Sequence, residues 1–301
     1  MRRLDNIDLR LLRVFVTLAE AGSFPAAQIA LNLSQSTLST HIANLERRIG
    51  EPLCLRGRKG FKLTPAGEAT LVATRQLFSD IDLFESRIKG ATGRTTGRLR
   101  IGIVDGVATS ERLGLQGAIR RAMDAAPDAF LNVRLGTPHQ LEIELAEGQF
   151  DVAIGPFAQQ APGVRYVPIF REPQALYCGA DHQLSRLPAA EQTPERISQA
   201  LFSVRGYRHL EDLYRVNHPR ANARVFHMEA QLMLILSGKF IGYLPRHMGD
   251  RHVERGELAL IRPQKFGFLS QHYVAYRRPG RPSPFLDLFI DAVKRQAKEK
   301  S

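Results

Sequence analysis

The 301-residue sequence predicts an α/β protein led by a small all-α module that ends in a hairpin, and three observations carry that reading. Apolar residues recur at helical spacing through most of the first third. A short, strongly basic stretch with β-prone flanks follows them. From Leu99 onward, short β-prone runs alternate with helical ones, the order that a parallel sheet with crossover helices requires.

Length suggests about two domains. With 44% hydrophobic and 24% charged residues, the chain has the composition of ordinary globular proteins and excludes a disordered one. The 42 Lys and Arg against 30 Asp and Glu leave a formal charge of +12. Residues 1–98 hold fifteen basic against nine acidic side chains, so half the excess lies in a third of the chain, as a polyanion-binding N-terminal module would have it. Cys54 and Cys178 are far apart in sequence, which indicates neither a disulfide framework nor a thiolate metal cluster and fits a reducing cytoplasm. Asp5, Asp8, Arg10 and Arg13 interrupt the apolar core that a signal peptide needs. The longest apolar run, at residues 233–236, is far short of a membrane span, so no membrane partner is expected.

The first helix is read from Leu9, Leu12, Val16 and Ala19 and ends at Gly22. Ser23 can cap a short second helix over residues 24–30, where Pro25 is tolerated because a first-turn N–H has no intrahelical partner. Ser34 can cap a third, in which Leu38, Ile42, Leu45 and Ile49 form one buried stripe. Its opposite face carries Ser36, Thr40, Ala43 and Arg47, with Gln35 and Ser39 on the flanks. Such a face lets a helix approach a major groove and hydrogen-bond to base edges or phosphates; an ordinary solvated face is the alternative. After Gly50 and Pro52, residues 53–55 and 61–63 read as a two-stranded wing, with Gly57 and Gly60 supplying the turn. Arg56, Arg58 and Lys59 at its tip suit phosphates or a minor groove.

The run SFPAAQIALNLSQSTLSTHIANLERRIGEPLCLRGRKGFKLTPAGE resembles the winged helix-turn-helix domain of LysR-type transcriptional regulators nearly position for position. The match rests on Ala26 and Ala27, on Leu33, Ser34, Gln35 and Ser36, on Leu38 and Ser39, on Ile42, Leu45 and Glu46, and on Gly50, Pro52, Leu53, Leu63, Thr64, Ala66 and Gly67. It implies that Ser34, Gln35, Ser36, Ser39, Thr40 and Arg47 meet DNA through the recognition helix, and Arg56, Arg58 and Lys59 through the wing. Two residues depart from the family pattern. Cys54 stands where an aromatic residue is more usual and reads as a small buried thiol rather than a redox switch. Thr40 stands where many members carry Arg, so base preference is expected to differ.

Thr64 can cap a fourth helix with Pro65 at its first position, running to about Lys89, with Leu77, Ile81, Phe84 and Ile88 along one seam. The seam can pair with a second copy or pack on its own domain. The resemblance favours dimerisation, which would set two recognition helices on a dyad operator. The expected boundaries are therefore residues 1–64 for the DNA-binding module, 65–89 for the linker helix, 90–98 for a Gly- and Thr-rich hinge and 99–301 for a regulatory domain.

That domain opens as a βαβαβ unit: LRIGIV, a helix over 113–125, FLNVRL, a helix over 138–147, and DVAIG. Further strands are expected at 164–170, 175–179, 201–205, 240–244 and 273–277. The layout resembles the family's effector domain, which is similar to a periplasmic binding protein with its ligand between two lobes, here about 99–170 with 270–301, and 171–269. GQFDVAIG and SGKFIGYLPRH fit the same pattern, so the resemblance covers nearly the whole chain. Open sheets bind ligands at the carboxyl ends of their strands. Transferred by resemblance, the effector residues are Asp105, Gly106, Thr137, Val204, Arg205 and Met228. Arg205 could hold a carboxylate bidentately, Asp105 would suit an amine or a hydroxyl-rich ligand, and an internal ion pair is the alternative for both.

No GxxxxGK[ST], GxGxxG, HExxH or GxSxG motif is present, so no enzyme is expected, and neither a metal nor a cofactor beyond a small-molecule effector. His209, His218 and His227, and His247 with His252, lack the companions of a metal site and read as packing or surface histidines. The partners implied are double-stranded operator DNA, a homodimer or homotetramer of the chain itself, the effector, and RNA polymerase if the protein activates. A basic nucleic-acid enzyme and a solute-binding receptor are the rival readings.

Overall fold

The computed structural model describes residues 6–57, 60–91, 97–158, 160–277 and 283–299, and the chain divides into two compact units, Met1–Phe84 and Glu85–Ser301. In the first, α1 (Asn6–Ala21), α2 (Phe24–Leu31) and α3 (Gln35–Ile49) precede a hairpin of β1 (Cys54–Gly57) and β2 (Gly60–Leu63), and α4 (Pro65–Ala91) begins there. Local chemistry sets the helix ends. Ser23 Oγ accepts from the Ala26 amide at 3.2 Å, Ser34 Oγ from the Thr37 amide at 3.2 Å, and Thr64 Oγ1 from the Gly67 amide at 2.9 Å. Asn32 and Gly50 take left-handed conformations, with φ of 51° and 91°, to close α2 and α3. Leu11, Phe15 and Leu18 of α1 and Leu38, Ile42 and Leu45 of α3 make one core with Ala27 and Leu53. Glu46 joins α3 to the wing by accepting the Leu53 amide at 2.8 Å.

The second unit starts with β3 (Arg98–Val104), the short α5 (Asp105–Ala108), α6 (Leu115–Ala125), β4 (Phe130–Gly136), α7 (Pro138–Ala146) and β5 (Val152–Gly155). There follow β6 (Val164–Gly179), α8 (Pro194–Ser198), β7 (Leu201–Arg205), α9 (His209–Val216), β8 (Ala223–Val225), α10 (Met228–Leu236) and β9 (Phe240–Pro245). The unit closes with α11 (Arg246–Glu254), β10 (Leu258–Leu260), α12 (Pro263–Phe266), β11 (Phe268–Arg277) and α13 (Pro284–Glu299). One sheet runs in the order β4-β3-β5-β11-β6-β9-β7-β8, with β10 added beside β6. Parallel β3, β4 and β5 centre the first lobe and parallel β7, β8 and β9 the second. Each lobe has its own core, one around Ile101, Leu141, Ile154 and Phe289, the other around Phe202, Ile241 and Tyr243.

The lobes are joined by the antiparallel pair β6 and β11, which runs through both. This corrects the expectation of separate strands at 164–170 and 175–179 and of a strand confined to 273–277. Glu172 and Pro173 lie in the gap between the first two of those expected strands. In the fold Glu172 is 2% exposed, accepting from Ser110 Oγ at 3.0 Å and facing His247 Nδ1 at 3.0 Å, so a charged residue sits inside a continuous strand.

Candidate nucleic-acid interface and ligand cleft

The α3 stripe of Leu38, Ile42 and Leu45 is buried, which turns the other face outward. Ser34, Gln35, Ser36, Thr40 and Arg47 are exposed there and Ser39 is half-buried. Ser34 Oγ lies 2.9 Å from Ser36 Oγ, Thr40 Oγ1 donates to the Ser36 carbonyl at 2.9 Å, and Arg47 Nη1 donates to Asn44 Oδ1 at 3.1 Å. These bonds hold short side chains against the helix, leaving its backbone open to close approach by a groove. Arg56 lies on β1, paired in register with Phe61. Arg58 and Lys59 fall outside the described residues.

Of the six effector candidates, five sit in internal packing. Asp105 is 3% exposed, and its Oδ1 accepts the Gly106 amide at 2.8 Å. Its Oδ2 accepts the Met228 amide at 2.6 Å and lies 3.3 Å from His227 Nδ1. Asp105 of the first lobe therefore caps α10 of the second, whose own N-cap residue, His227, offers no side-chain bond. Burial raises the carboxyl above its ordinary pKa, and the two amides oppose that. A Cβ on Gly106 would stand 2.8 Å from Met228 Cγ, so any larger residue there requires the Met228 side chain to shift. Val204 and Met228 are core residues. Arg205 is in the internal ion pair that the sequence left open: Nη2 and Nε donate to Asp212 at 2.6 and 3.0 Å, and Nη1 to Gln174 Oε1 at 3.0 Å.

The sixth, Thr137, caps α7 and lines a cleft of about 350 Å³ between the lobes. Three strand ends reach it: Thr137 beyond β4, Pro156 beyond β5, and Gly206 and Tyr207 beyond β7. Glu142, Arg208, Glu211 and Phe226 complete the polar and aromatic lining with His139. Arg208 donates to Glu211 Oε2 at 2.9 Å and to Ser270 Oγ at 3.0 Å. Burial pushes the Tyr207 phenol up to about 12, so it remains a protonated donor. Sequence reading marked the ends of these strands but not Glu142, which lies on α7 between core residues Leu141 and Leu145 with no pattern to distinguish it. Among the described residues no group of His, Cys, Asp and Glu is arranged to hold a metal ion, and no helix is long and apolar enough to cross a membrane.

A winged module with an exposed polar helix, followed by two α/β lobes around a cleft, is the plan of a ligand-responsive transcriptional regulator. Residues 9–68 match the family described as "Bacterial regulatory helix-turn-helix protein, lysR family", and residues 92–298 match the "LysR substrate binding domain". The chain belongs to the LysR family of DNA-binding transcriptional regulators. It is 31% identical over 293 residues to the HTH-type transcriptional activator BauR of Pseudomonas aeruginosa, covering 97% of this chain and 96% of that protein. Its fold resembles full-length CbnR solved with its target DNA, at TM-score 0.63 and 20% identity, over 96% of this chain and 99% of that one. It also resembles LysG of Corynebacterium glutamicum with bound effector Arg, at TM-score 0.59 and 21% identity, over 97% and 98% of the two chains.

Proposed function

We propose that this regulator reads a dyad operator through Gln35, Ser36, Ser39, Thr40 and Arg47, with Ser34 at the helix start and Arg56, Arg58 and Lys59 on the phosphates. The observation that carries the reading is the exposed polar face of α3 over its buried apolar stripe. Two copies join through the linker helix, residues 65–89, where Phe84 and Ile88 are 64% and 57% exposed. A homodimer or homotetramer then presents residues 1–64 to DNA, with residues 90–98 as the hinge to the regulatory domain of residues 99–301. A small-molecule effector enters the interlobe cleft beside Thr137 and biases the arrangement of the lobes, a coupling typically of about 1 to 3 kcal/mol. Asp105, Gly106, Val204, Arg205 and Met228 support the cleft from behind rather than lining it. The protein works in the cytoplasm and does no chemistry of its own; if it activates, it also meets RNA polymerase.

Footprinting and gel-shift titration on the DNA upstream of its own gene test the reading. Gln35→Ala or Thr40→Ala relaxes discrimination at particular base pairs by about 1 to 3 kcal/mol. A uniform loss across operator variants would assign these side chains to the backbone alone, and no protected stretch would remove the operator reading. Thr137→Val abolishes the response to effector and leaves operator affinity intact; losing both together would place Thr137 in the fold rather than the site.

A further inference from the structure

The cleft that we read as the effector seat carries an unbalanced negative charge. Glu142 is only 5% exposed, and Tyr166 donates its hydroxyl to Oε1 at 2.7 Å. The second oxygen, Oε2, takes no hydrogen bond among the described residues, although the residue lines the cleft. That oxygen reaches the water of the cleft and is open there to a donor or a cation. The neighbouring charges do not supply one. Arg208 is paired with Glu211, Arg205 with Asp212, and His227 with Asp105. Apart from His139, the charged lining is two carboxylates and one guanidinium.

Two aromatic groups, Tyr207 and Phe226, line the same cleft. Phe226 lies at its rim, 51% exposed, packed over Gly206 so closely that a Cβ there would meet the ring at 2.4 Å. Aromatic faces and a carboxylate around one small cavity are complementary to a positive charge on an organic skeleton.

From this arrangement we propose that the effector is a small organic cation, a primary ammonium or amidine-like group on a short skeleton, with its charge at Glu142 and its apolar part against Tyr207 and Phe226. The inference rests on the cleft being the effector seat, and assigns its chemical class. An anion would have to displace Glu211, which is half exposed, from Arg208; that is the competing outcome.

Three probes with the same five-carbon chain separate the cases: n-pentylammonium, 1-pentanol and pentanoate, titrated against the full chain by saturation-transfer NMR with the operator gel shift in parallel. Pentylammonium binds about tenfold or more tighter than pentanol, and pentanoate no better than pentanol. Glu142→Gln, which keeps an acceptor for Tyr166, brings pentylammonium down to the level of pentanol with operator affinity unchanged. Phe226→Ala, at the exposed rim, weakens pentylammonium about three- to fivefold. A preference for ammonium that survives Glu142→Gln, or is indifferent to Phe226→Ala, overturns the proposal. Tightest binding by pentanoate also overturns it while leaving the cleft as the effector seat. Absence of saturable binding by all three overturns both readings.

Discussion

Gly67 shows how one residue of a short motif serves packing. A Cβ at this position would lie 2.0 Å from the Leu53 carbonyl oxygen, a backbone atom that cannot step aside without moving the wing. Gly67→Ala is expected to cost about 2 to 4 kcal/mol in urea denaturation and to weaken operator binding with it. Full stability in that variant would show that the start of α4 can shift freely. His272 makes a different residue-scale case. It is 4% exposed, stacked on Phe170 at 4.7 Å and bonded through Nδ1 to the Ser270 carbonyl at 2.9 Å. Burial holds it down at about 4, against an ordinary 6.5, so the folded protein keeps it neutral. The unfolded chain takes up the proton first. The stability contributed by a neutral His272 is therefore complete above pH 6.5 and is lost as pH falls towards 4, by about 3 to 4 kcal/mol in all. His272→Asn flattens the stability curve over that window; parallel curves for the two proteins would contradict the assignment.

At the scale of elements, two kinds of capped helix start contrast. Those of α2, α3 and α4 are capped by the residue immediately before them, Ser23, Ser34 and Thr64, and so are legible from sequence. The start of α10 is not, because its cap is Asp105, which reaches it from the other lobe. Removing that carboxylate should act on an element distant in sequence. In Asp105→Ala, hydrogen exchange of the Met228 amide and the first turn of α10 is expected to rise several-fold while α13 and β3 keep their protection, at a stability cost of about 1 to 2 kcal/mol. Unaltered exchange at α10 would rule out the trans-lobe cap. The strands tell a related story. Most strands of the parallel units were readable from their β-branched runs, but the three-residue β8 was not. β6 and β11 were read too short; within β6, the buried Glu172 looks like a loop residue until Ser110 and His247 are seen around it.

For the whole molecule, net charge and its placement govern how DNA is met. With a formal charge of +12, operator binding should fall steeply with salt. Arg58→Ala is expected to weaken binding to all sequences alike and to flatten the log–log salt dependence by about 0.9 per lost phosphate contact. A salt slope equal to that of the wild type would take Arg58 out of the interface.

Sequence alone determined the order of elements in the DNA-binding module, the caps that bound its helices and the polar face that α3 turns outward. All of these depend on neighbours within a turn or two, where spacing and side-chain type suffice. Only the tertiary structure decided which charged groups of the regulatory unit remain open to a ligand. Arg205 and Asp105 looked available in sequence and are held by Asp212 and by the α10 amide, while Glu142 looked unremarkable and keeps an unpartnered oxygen. Ionic partners are chosen by proximity in the folded chain, and sequence spacing carries no record of which pairs the fold will bring together.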